Sequence, residues 1–291
     1  MKKFHGTGVA LVTPFHADGS IDYPGLKKVL DHTAQGVDYY VVQGTTGEGS
    51  TITAADKAAI LQFVKDNNPK KLPIVFGIGG NDTAVIVNRF ASYDLTGVDA
   101  VLSVAPYYNK PTDEGFYRHF VAVADASPVP IILYNVPGRT AQNMSAEVIL
   151  RLAEHPNIIG IKEASGDVVQ SMEIARRAPE DFLLISGDDM LTVPLISVGA
   201  VGVISVLANL IPTTFKTMVH SALRGDFKAA SQAAYTLLRI NPPMYEESNP
   251  VGVKAGMSIK GLCEPYVRMP LIEASEDLTK RIADIMEAEG L

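Results

Sequence analysis

The sequence has a single cysteine, Cys263, so an internal disulfide is excluded. No other cysteine or histidine lies near it at the spacing of a metal site. The six histidines are scattered along the chain, and none is paired with another at a ligand spacing. We therefore expect neither a structural nor a catalytic metal ion.

The chain also lacks any run of basic residues: 25 Lys and Arg stand against 32 Asp and Glu, a net charge of −7. Such a chain repels phosphate backbones, so we expect no nucleic-acid partner. No stretch approaches the roughly 20 apolar residues of a membrane helix, and the run from Gly8 to Val12 is too short for a signal peptide. With 47% apolar residues, the sequence predicts a well-cored cytoplasmic protein that makes no contact with a membrane.

Eight short runs rich in Val, Ile and Leu recur along the chain, each bounded by Gly, Pro, Asn or Asp. They start at Gly8, Tyr39, Pro73, Ala100, Pro130, Ile158, Phe182 and Val201. Most are continuous rather than alternating, as in parallel strands that are buried on both faces. Segments of helical period separate them, and the mean spacing of about 28 residues is that of one βα unit. The pattern predicts an α/β fold with a (β/α)8 barrel over residues 1–225. A doubly wound open sheet is the alternative.

After Gly225 the strand pattern stops. Three helical segments follow: DFKAASQAAYTLLRI, NPVGVKAGMSIKGL and ASEDLTKRIADIMEAEG. We therefore expect residues 226–291 to form a C-terminal all-helical domain that packs on the barrel or against another subunit.

Lys162 is the most informative polar residue, because it lies inside the predicted strand IIGIKEAS. Side chains alternate along a strand, so Gly160, Lys162 and Ala164 share one face. Ile159 and Ile161 share the other face, which we assign to the helix layer. Lys162 should then point into the barrel, where an amine buried among apolar groups becomes a nucleophile towards carbonyls. A lysine that reaches from the strand end to water is the alternative.

The preceding strand, in PIILYNVPGRT, ends near Tyr134 and is followed by Arg139. Tyr134 lies one strand away from Lys162, so its phenol could relay protons to a carbinolamine oxygen; alternatively, it fills the core. Arg139 could bind a carboxylate with its planar guanidinium, or it could be an exposed loop residue.

Two glycine-rich segments follow the second and third strands. GTTGEGST at 44–51 could present successive backbone N–H groups to an anion, and it could also cap the next helix. GIGGND at 77–82 does not match the dinucleotide-binding fingerprint, because position 82 is Asp. We therefore expect no nucleotide cofactor.

Five motifs, GTTGE, PYYNKP, YNVPGRT, GIKEASGD and GVISV, occur in this order at predicted strand ends. Together they resemble the dihydrodipicolinate synthase family of pyruvate-dependent aldolases, whose superfamily also contains N-acetylneuraminate lyase. The likeness runs from Thr7 to about Leu271 and includes the late segments ESNPVGVK and RMPL. It implies a lysine Schiff-base lyase that condenses pyruvate with L-aspartate 4-semialdehyde in lysine and diaminopimelate biosynthesis.

The resemblance implies four catalytic residues. Lys162 would form the Schiff base with the ketone of pyruvate, and Tyr134 would shuttle protons during imine formation. Thr45 would link Tyr134 to Tyr108, which completes a relay to solvent. In this family that second tyrosine enters the neighbouring subunit's site, so the resemblance implies a tight dimer and, as the usual form, a homotetramer. No metal or organic cofactor is implied, because the imine itself serves as the electron sink.

The resemblance also implies four substrate-binding residues. Thr46, with Thr45, would hold the carboxylate of pyruvate, and Ile204 would contact the substrate through its carbonyl. Gly187 belongs to the same implied set. Arg139 would bind the carboxylate of L-aspartate 4-semialdehyde; the sialic-acid lyases have no arginine at this position. The alternatives are a Schiff-base aldolase for a 2-keto-3-deoxy sugar acid or sialic acid, and a catalytically idle scaffold barrel.

The sequence departs from the family where feedback by lysine is concerned. Lysine-inhibited members of the enteric type place histidines and a glutamate around a cleft at the subunit interface. At the matching positions this chain has Ala54, Lys57 and Val85. A cationic Lys57 and the lack of an acid at position 85 disfavour bound lysine, so we expect weak or no inhibition.

Overall fold

The computed structural model describes every residue from Met1 to Leu291 and contains a closed barrel of eight parallel strands. The strands are β1 (Gly6–Ala10), β2 (Tyr39–Val42), β3 (Ile74–Gly77), β4 (Ala100–Val104), β5 (Ile131–Asn135), β6 (Ile158–Glu163), β7 (Leu183–Ser186) and β8 (Gly202–Ser205). Each strand pairs with the next along the chain, and β8 pairs with β1. The predicted barrel is confirmed, and the open-sheet alternative is wrong.

Helices connect the strands and form the outer layer. They are α1 (Tyr23–Thr33), α2 (Ala54–Asn67), α3 (Thr83–Arg89), α4 (Asp113–Ala126), α5 (Pro137–Thr140), α6 (Ala146–Ala153), α7 (Val168–Arg177), α8 (Thr192–Ser197) and α9 (Pro212–Leu223). The Thr53 side chain accepts a hydrogen bond from the N–H of Asp56, so Thr53 caps α2. The short α5 was not predicted. It turns the VPGRT segment into one helical turn, which fixes the direction of Arg139.

Five helices follow the barrel: α10 (Phe227–Tyr235), α11 (Leu237–Ile240), α12 (Pro243–Glu246), α13 (Val251–Ile259) and α14 (Glu276–Glu289). The first predicted segment is divided between α10 and α11, while the other two segments correspond to α13 and α14. In the tertiary structure α10 packs along α9, and α13 packs against α14. Because α10 packs on α9, the last helix before residue 225, these contacts do not separate two domains at that residue. The domain boundary at residue 225 stays a prediction. None of these helices has both the length and the apolar character needed to span a bilayer.

Two hydrophobic clusters, one inside the barrel and one between barrel and helices, show which way each strand residue points. Ile159 belongs to the inner cluster, so its predicted place in the helix layer is wrong, whereas Ile161 lies in the outer cluster as expected. The cause is a bulge in the β5–β6 pairing, where Ile131 pairs with Ile158 but Ile132 pairs with Gly160. The extra residue, Ile159, breaks the alternation of side chains.

Candidate active site

The carboxyl ends of the strands open into a cavity of about 310 Å³, the end at which barrel enzymes place their sites. Thr45, Tyr134 and Arg139 all line it. Its wall also carries the cations Lys57 and Arg89, and it includes no Asp or Glu. A concave wall with positive charge and no carboxylate favours small anionic ligands.

Lys162 and Tyr134 lie side by side on β6 and β5. They are directly paired in the register of the two strands, and Lys162 Nζ lies 4.4 Å from the centroid of the Tyr134 ring. Both side chains are buried, with 5% and 7% of their surface exposed. A side chain at Gly187 would bring its Cβ within 3.1 Å of Lys162 Cε, so glycine there leaves room for the lysine and for what it binds. The structure thus brings three of the predicted site residues together.

Buried polar residues fix the ends of these two strands. The Asn135 amide, next to Tyr134, donates hydrogen bonds to both carboxylate oxygens of Glu163, next to Lys162, at 3.2 and 3.0 Å. Glu163 also accepts from the backbone N–H of Ser165 at 2.7 Å. Sequence reasoning missed this pair, although two polar residues at the ends of buried strands were the available signal. The network holds the lysine and the tyrosine at a fixed separation.

Asp189 is a buried carboxyl group beyond the end of β7. Its Oδ2 accepts hydrogen bonds from the backbone N–H groups of Leu207 and Val206, at 2.8 and 3.2 Å, and its Oδ1 has no partner. Burial raises the pKa of Asp189 to about 6, and the positive charge of Lys162 acts in the opposite direction. Asp189 thereby anchors the segment after Ile204, a residue of the inner cluster. No group of three or more His, Cys, Asp or Glu side chains converges to hold a metal ion.

The loop after β2 has the geometry of an anion cradle. The backbone N–H groups of Thr45 and Thr46 donate no hydrogen bond within the chain, so both are available to an anion. The loop is shaped by two non-glycine residues with left-handed backbone, Gln43 (φ 64°) and Glu48 (φ 54°). Such conformations persist only where the surroundings enforce them, which is common at ligand sites.

The C-terminal helices enforce this conformation through a buried ion pair. Lys254 Nζ on α13 donates to Glu48 Oε1 at 2.6 Å, and the backbone N–H of Arg268 donates to Glu48 Oε2 at 2.8 Å. The Lys254 ammonium also lies 4.2 Å from the centroid of the Phe15 ring. Sequence reasoning missed this contact as well; the signal was a lysine within the apolar run VGVKAGM.

The remaining predicted residues lie at different depths. Arg139 lies on the exposed side of the cavity, and its guanidinium donates to the backbone carbonyl of Asn249 at 3.4 Å. Tyr108 does not reach the cavity of its own chain: it is 89% exposed and has a left-handed backbone (φ 75°), while its neighbour Tyr107 lines the wall. Thr46 is buried, with 1% of its surface exposed.

Known proteins match the chain over nearly its whole length. The model of the dihydrodipicolinate synthetase family matches residues 3–289. A protein of Cytophaga hutchinsonii named 4-hydroxy-tetrahydrodipicolinate synthase is 50% identical over 283 residues, which is 97% of this chain and 95% of the relative. The crystal structure of dihydrodipicolinate synthase from Aquifex aeolicus has a TM-score of 0.94 at 37% identity, covering 99% of both chains.

A second solved structure, of the enzyme from Cyanidioschyzon merolae with lysine bound, has a TM-score of 0.94 at 35% identity and again covers 99% of both chains. The family match, the level of identity and the shared barrel agree over the full chain. The chain belongs to the dihydrodipicolinate synthetase family.

Proposed function

We propose that the protein is a Schiff-base lyase that condenses pyruvate with L-aspartate 4-semialdehyde to give 4-hydroxy-tetrahydrodipicolinate. Relatives that are 41–50% identical over nearly the whole chain carry the name of this synthase. The reaction feeds lysine and diaminopimelate biosynthesis, and we place it in the cytoplasm. The observation that carries the proposal is the buried Lys162 beside Tyr134, next to a cavity that also presents Arg139.

The first half of the reaction takes place at Lys162. Its neutral amine attacks the ketone carbon of pyruvate, and the carbinolamine loses water to give an imine. Tyr134, whose ring lies 4.4 Å from Nζ, donates the proton that the departing oxygen needs. The imine withdraws electrons from the methyl group, so loss of a methyl proton gives an enamine. The lysine supplies the electron sink, and we therefore propose that no metal or organic cofactor takes part.

The second half joins the two substrates. The enamine carbon attacks the aldehyde, and the amino group of L-aspartate 4-semialdehyde then displaces Lys162 as the ring closes. The free N–H groups of Thr45 and Thr46 bind the pyruvate carboxylate, and Arg139 binds the carboxylate of the second substrate. Both substrates carry a carboxylate, which fits a cavity wall that has cations and no acid.

Two further residues shape the substrate site. Ile204, in the inner cluster, offers its backbone carbonyl to the pyruvate-derived part of the substrate. Gly187 leaves the space beside Lys162 Cε that a covalently bound three-carbon unit requires.

Tyr108 supports an oligomeric enzyme. A tyrosine that is 89% exposed, on a left-handed backbone, is available to a second subunit rather than to its own cavity. We propose that it enters the neighbouring site and continues the relay from Tyr134 through Thr45, in a homotetramer built from tight dimers. One solved relative, at a TM-score of 0.96 and 32% identity, is described as a monomeric variant, and the mass of this protein in solution tests the proposed tetramer.

Turnover with pyruvate and L-aspartate 4-semialdehyde tests the proposal. Lys162→Ala should abolish both turnover and the trapping of pyruvate on the chain by borohydride. Arg139→Ala should abolish turnover but keep the trapped pyruvate, because the imine forms before the second substrate binds. Trapping without turnover in the unaltered protein would shift the substrate to a 2-keto-3-deoxy sugar acid or sialic acid. Turnover by Lys162→Ala would refute the Schiff base.

A further inference from the structure

Asn249 connects two residues that the proposed reaction uses to bind carboxylates. Its side-chain Nδ2 donates a hydrogen bond to Thr46 Oγ1 at 3.1 Å, and its backbone carbonyl accepts one from Arg139 at 3.4 Å. Asn249 belongs to the ESNPVGVK segment, just before α13, and is 203 residues from Thr46 in the chain. One residue of the C-terminal segment therefore contacts both carboxylate-binding side chains.

Stability alone does not explain the Asn249 side chain. It is only 6% exposed, and its amide oxygen has no hydrogen-bond partner. An amide offers two donors and two acceptor sites, yet here its side chain makes one bond, to Thr46. Burying a polar group with so few partners is unfavourable for folding, so an apolar residue would be preferred if packing were the only requirement.

The direction of this hydrogen bond matters for substrate binding. Because the amide of Asn249 donates, Thr46 Oγ1 acts as the acceptor and its own hydroxyl hydrogen is not used by Asn249. That hydrogen can then be donated to a carboxylate held at the free N–H groups of Thr45 and Thr46. A carboxylate accepts hydrogen bonds only, so this orientation is the productive one.

The position of Asn249 relative to the loop after β2 is fixed independently. Lys254, five residues further on, is paired with Glu48, two residues after Thr46. Two contacts therefore join the same two segments, and both partners of the ion pair are fully or almost fully buried. The amide of Asn249 is held against Thr46 and has little freedom to turn away.

We propose that Asn249 is a positioning residue that orients the Thr46 hydroxyl towards the pyruvate carboxylate and, through its backbone carbonyl, steadies Arg139. The inference rests on the proposed function. It assigns a role in substrate binding to a side chain of the helical extension, outside the barrel motifs. Asn249 contacts Thr46 through its side chain and Arg139 through its backbone carbonyl, so substitution of Asn249 removes only the first contact. Pyruvate binding should therefore change, and binding of the second substrate should change much less.

The test is a comparison of steady-state constants for Asn249→Asp and Asn249→Ala. Aspartate has the same shape but can only accept, so Thr46 would donate to it and the pyruvate carboxylate would face a negative charge. The KM for pyruvate should rise about tenfold or more in Asn249→Asp and several-fold in Asn249→Ala. The KM for L-aspartate 4-semialdehyde should change by less than about twofold, since the backbone carbonyl remains. Asn88→Asp, in an exposed position on α3, is the matched control for the added charge.

A double-mutant cycle with Thr46→Val distinguishes positioning from a general structural effect. In the Thr46→Val background, Asn249→Ala should raise the KM for pyruvate no further, because the group that it orients is gone. Equal effects of Asn249→Ala in both backgrounds would overturn the proposal, as would an unchanged KM for pyruvate in Asn249→Asp. Thr46→Val probes the same contact if an Asn249 variant fails to fold. Borohydride trapping in the unaltered protein tests the proposed function separately, so the two failures can be told apart.

Discussion

Replacing Lys254 by methionine should destabilise the protein far more than the loss of an ordinary surface lysine. Lys254 is fully buried, and its ammonium donates to Glu48 Oε1 at 2.6 Å and to the backbone carbonyl of Tyr266 at 2.8 Å. Burial lowers the pKa of Lys254, and the charge of Glu48 opposes that effect. Methionine fills a similar volume without a charge, so the substitution mainly removes the counter-ion of Glu48.

The size of the effect follows from what Glu48 then lacks. Its side chain is only 2% exposed, and the remaining donor to it is the backbone N–H of Arg268. Removing one partner of a buried ion pair costs about 3–5 kcal/mol, because the other charge stays out of water and unpaired. For a chain of this size that corresponds to a fall in Tm of roughly 6–10 °C.

Thermal unfolding at a fixed protein concentration measures this shift. The matched control is Lys27→Met, because Lys27 pairs with Asp31 on the exposed face of α1, where the two side chains are 42% and 50% exposed. That substitution should cost less than about 1 kcal/mol. The double variant Lys254→Met/Glu48→Gln carries no buried charge at this place and should recover much of the loss.

Unfolding of Lys254→Met within about 2 °C of the unaltered protein would contradict a buried ion pair of this strength, as would a double variant that is less stable than the single one. Since Glu48 has a left-handed backbone next to the anion cradle, the same variant should also raise the KM for pyruvate. A stability loss with an unchanged KM would mean that the loop after β2 keeps its shape without the ion pair.

Three further outcomes are expected. Burial lowers the pKa of His119 from 6.5 to about 4, so acid protonates this histidine in the unfolded chain before it does so in the folded one. As the pH falls from 6.5 to 4, the free energy of unfolding should therefore drop by about 3 kcal/mol. Urea titrations should show a smaller drop for His119→Gln, and an equal drop would contradict this role of His119. Free lysine should inhibit weakly or not at all, because the cavity presents Lys57 and Arg89 and no acid; inhibition at sub-millimolar lysine would contradict this. Mixing inactive Tyr108→Phe and Lys162→Ala chains should restore activity, since one site of each hybrid dimer then has Lys162 from one subunit and Tyr108 from the other. If activity is not restored, Tyr108 does not act in the partner's site.

The barrel could be predicted from the sequence because its signal is repetitive. Eight apolar runs at a spacing of about 28 residues leave few other arrangements. The alternation along β6 also predicted an inward Lys162, and the strand register places it beside Tyr134. The same rule was wrong for Ile159, the first residue of the stretch to which it was applied, because the bulge depends on pairing with β5. Pairing between strands is not visible in the sequence of one strand.

The supports of the site could not be predicted, for a related reason. Motif spacing relates residues that are close in the chain, whereas Glu48 and Lys254 are 206 residues apart. Neither residue type identifies its partner: a lysine in a helix and a glutamate in a glycine-rich loop are both usually solvent-exposed. The short helix α5 was not predicted because a single turn has too few residues to show a helical period.

Two different parts of the chain hold the predicted site residues in position. Lys162 and Tyr134 lie on barrel strands, where backbone hydrogen bonds to both neighbours fix their positions. The loop after β2 has no such ladder, and its left-handed residues would be unfavourable in isolation. Asn249 and Lys254 supply the missing constraint through their hydrogen bonds to Thr46 and Glu48, so the helical extension fixes the loop of the proposed substrate site. We therefore expect residues 226–291 to be required for the proposed carboxylate binding, whatever boundary the sequence pattern draws at residue 225.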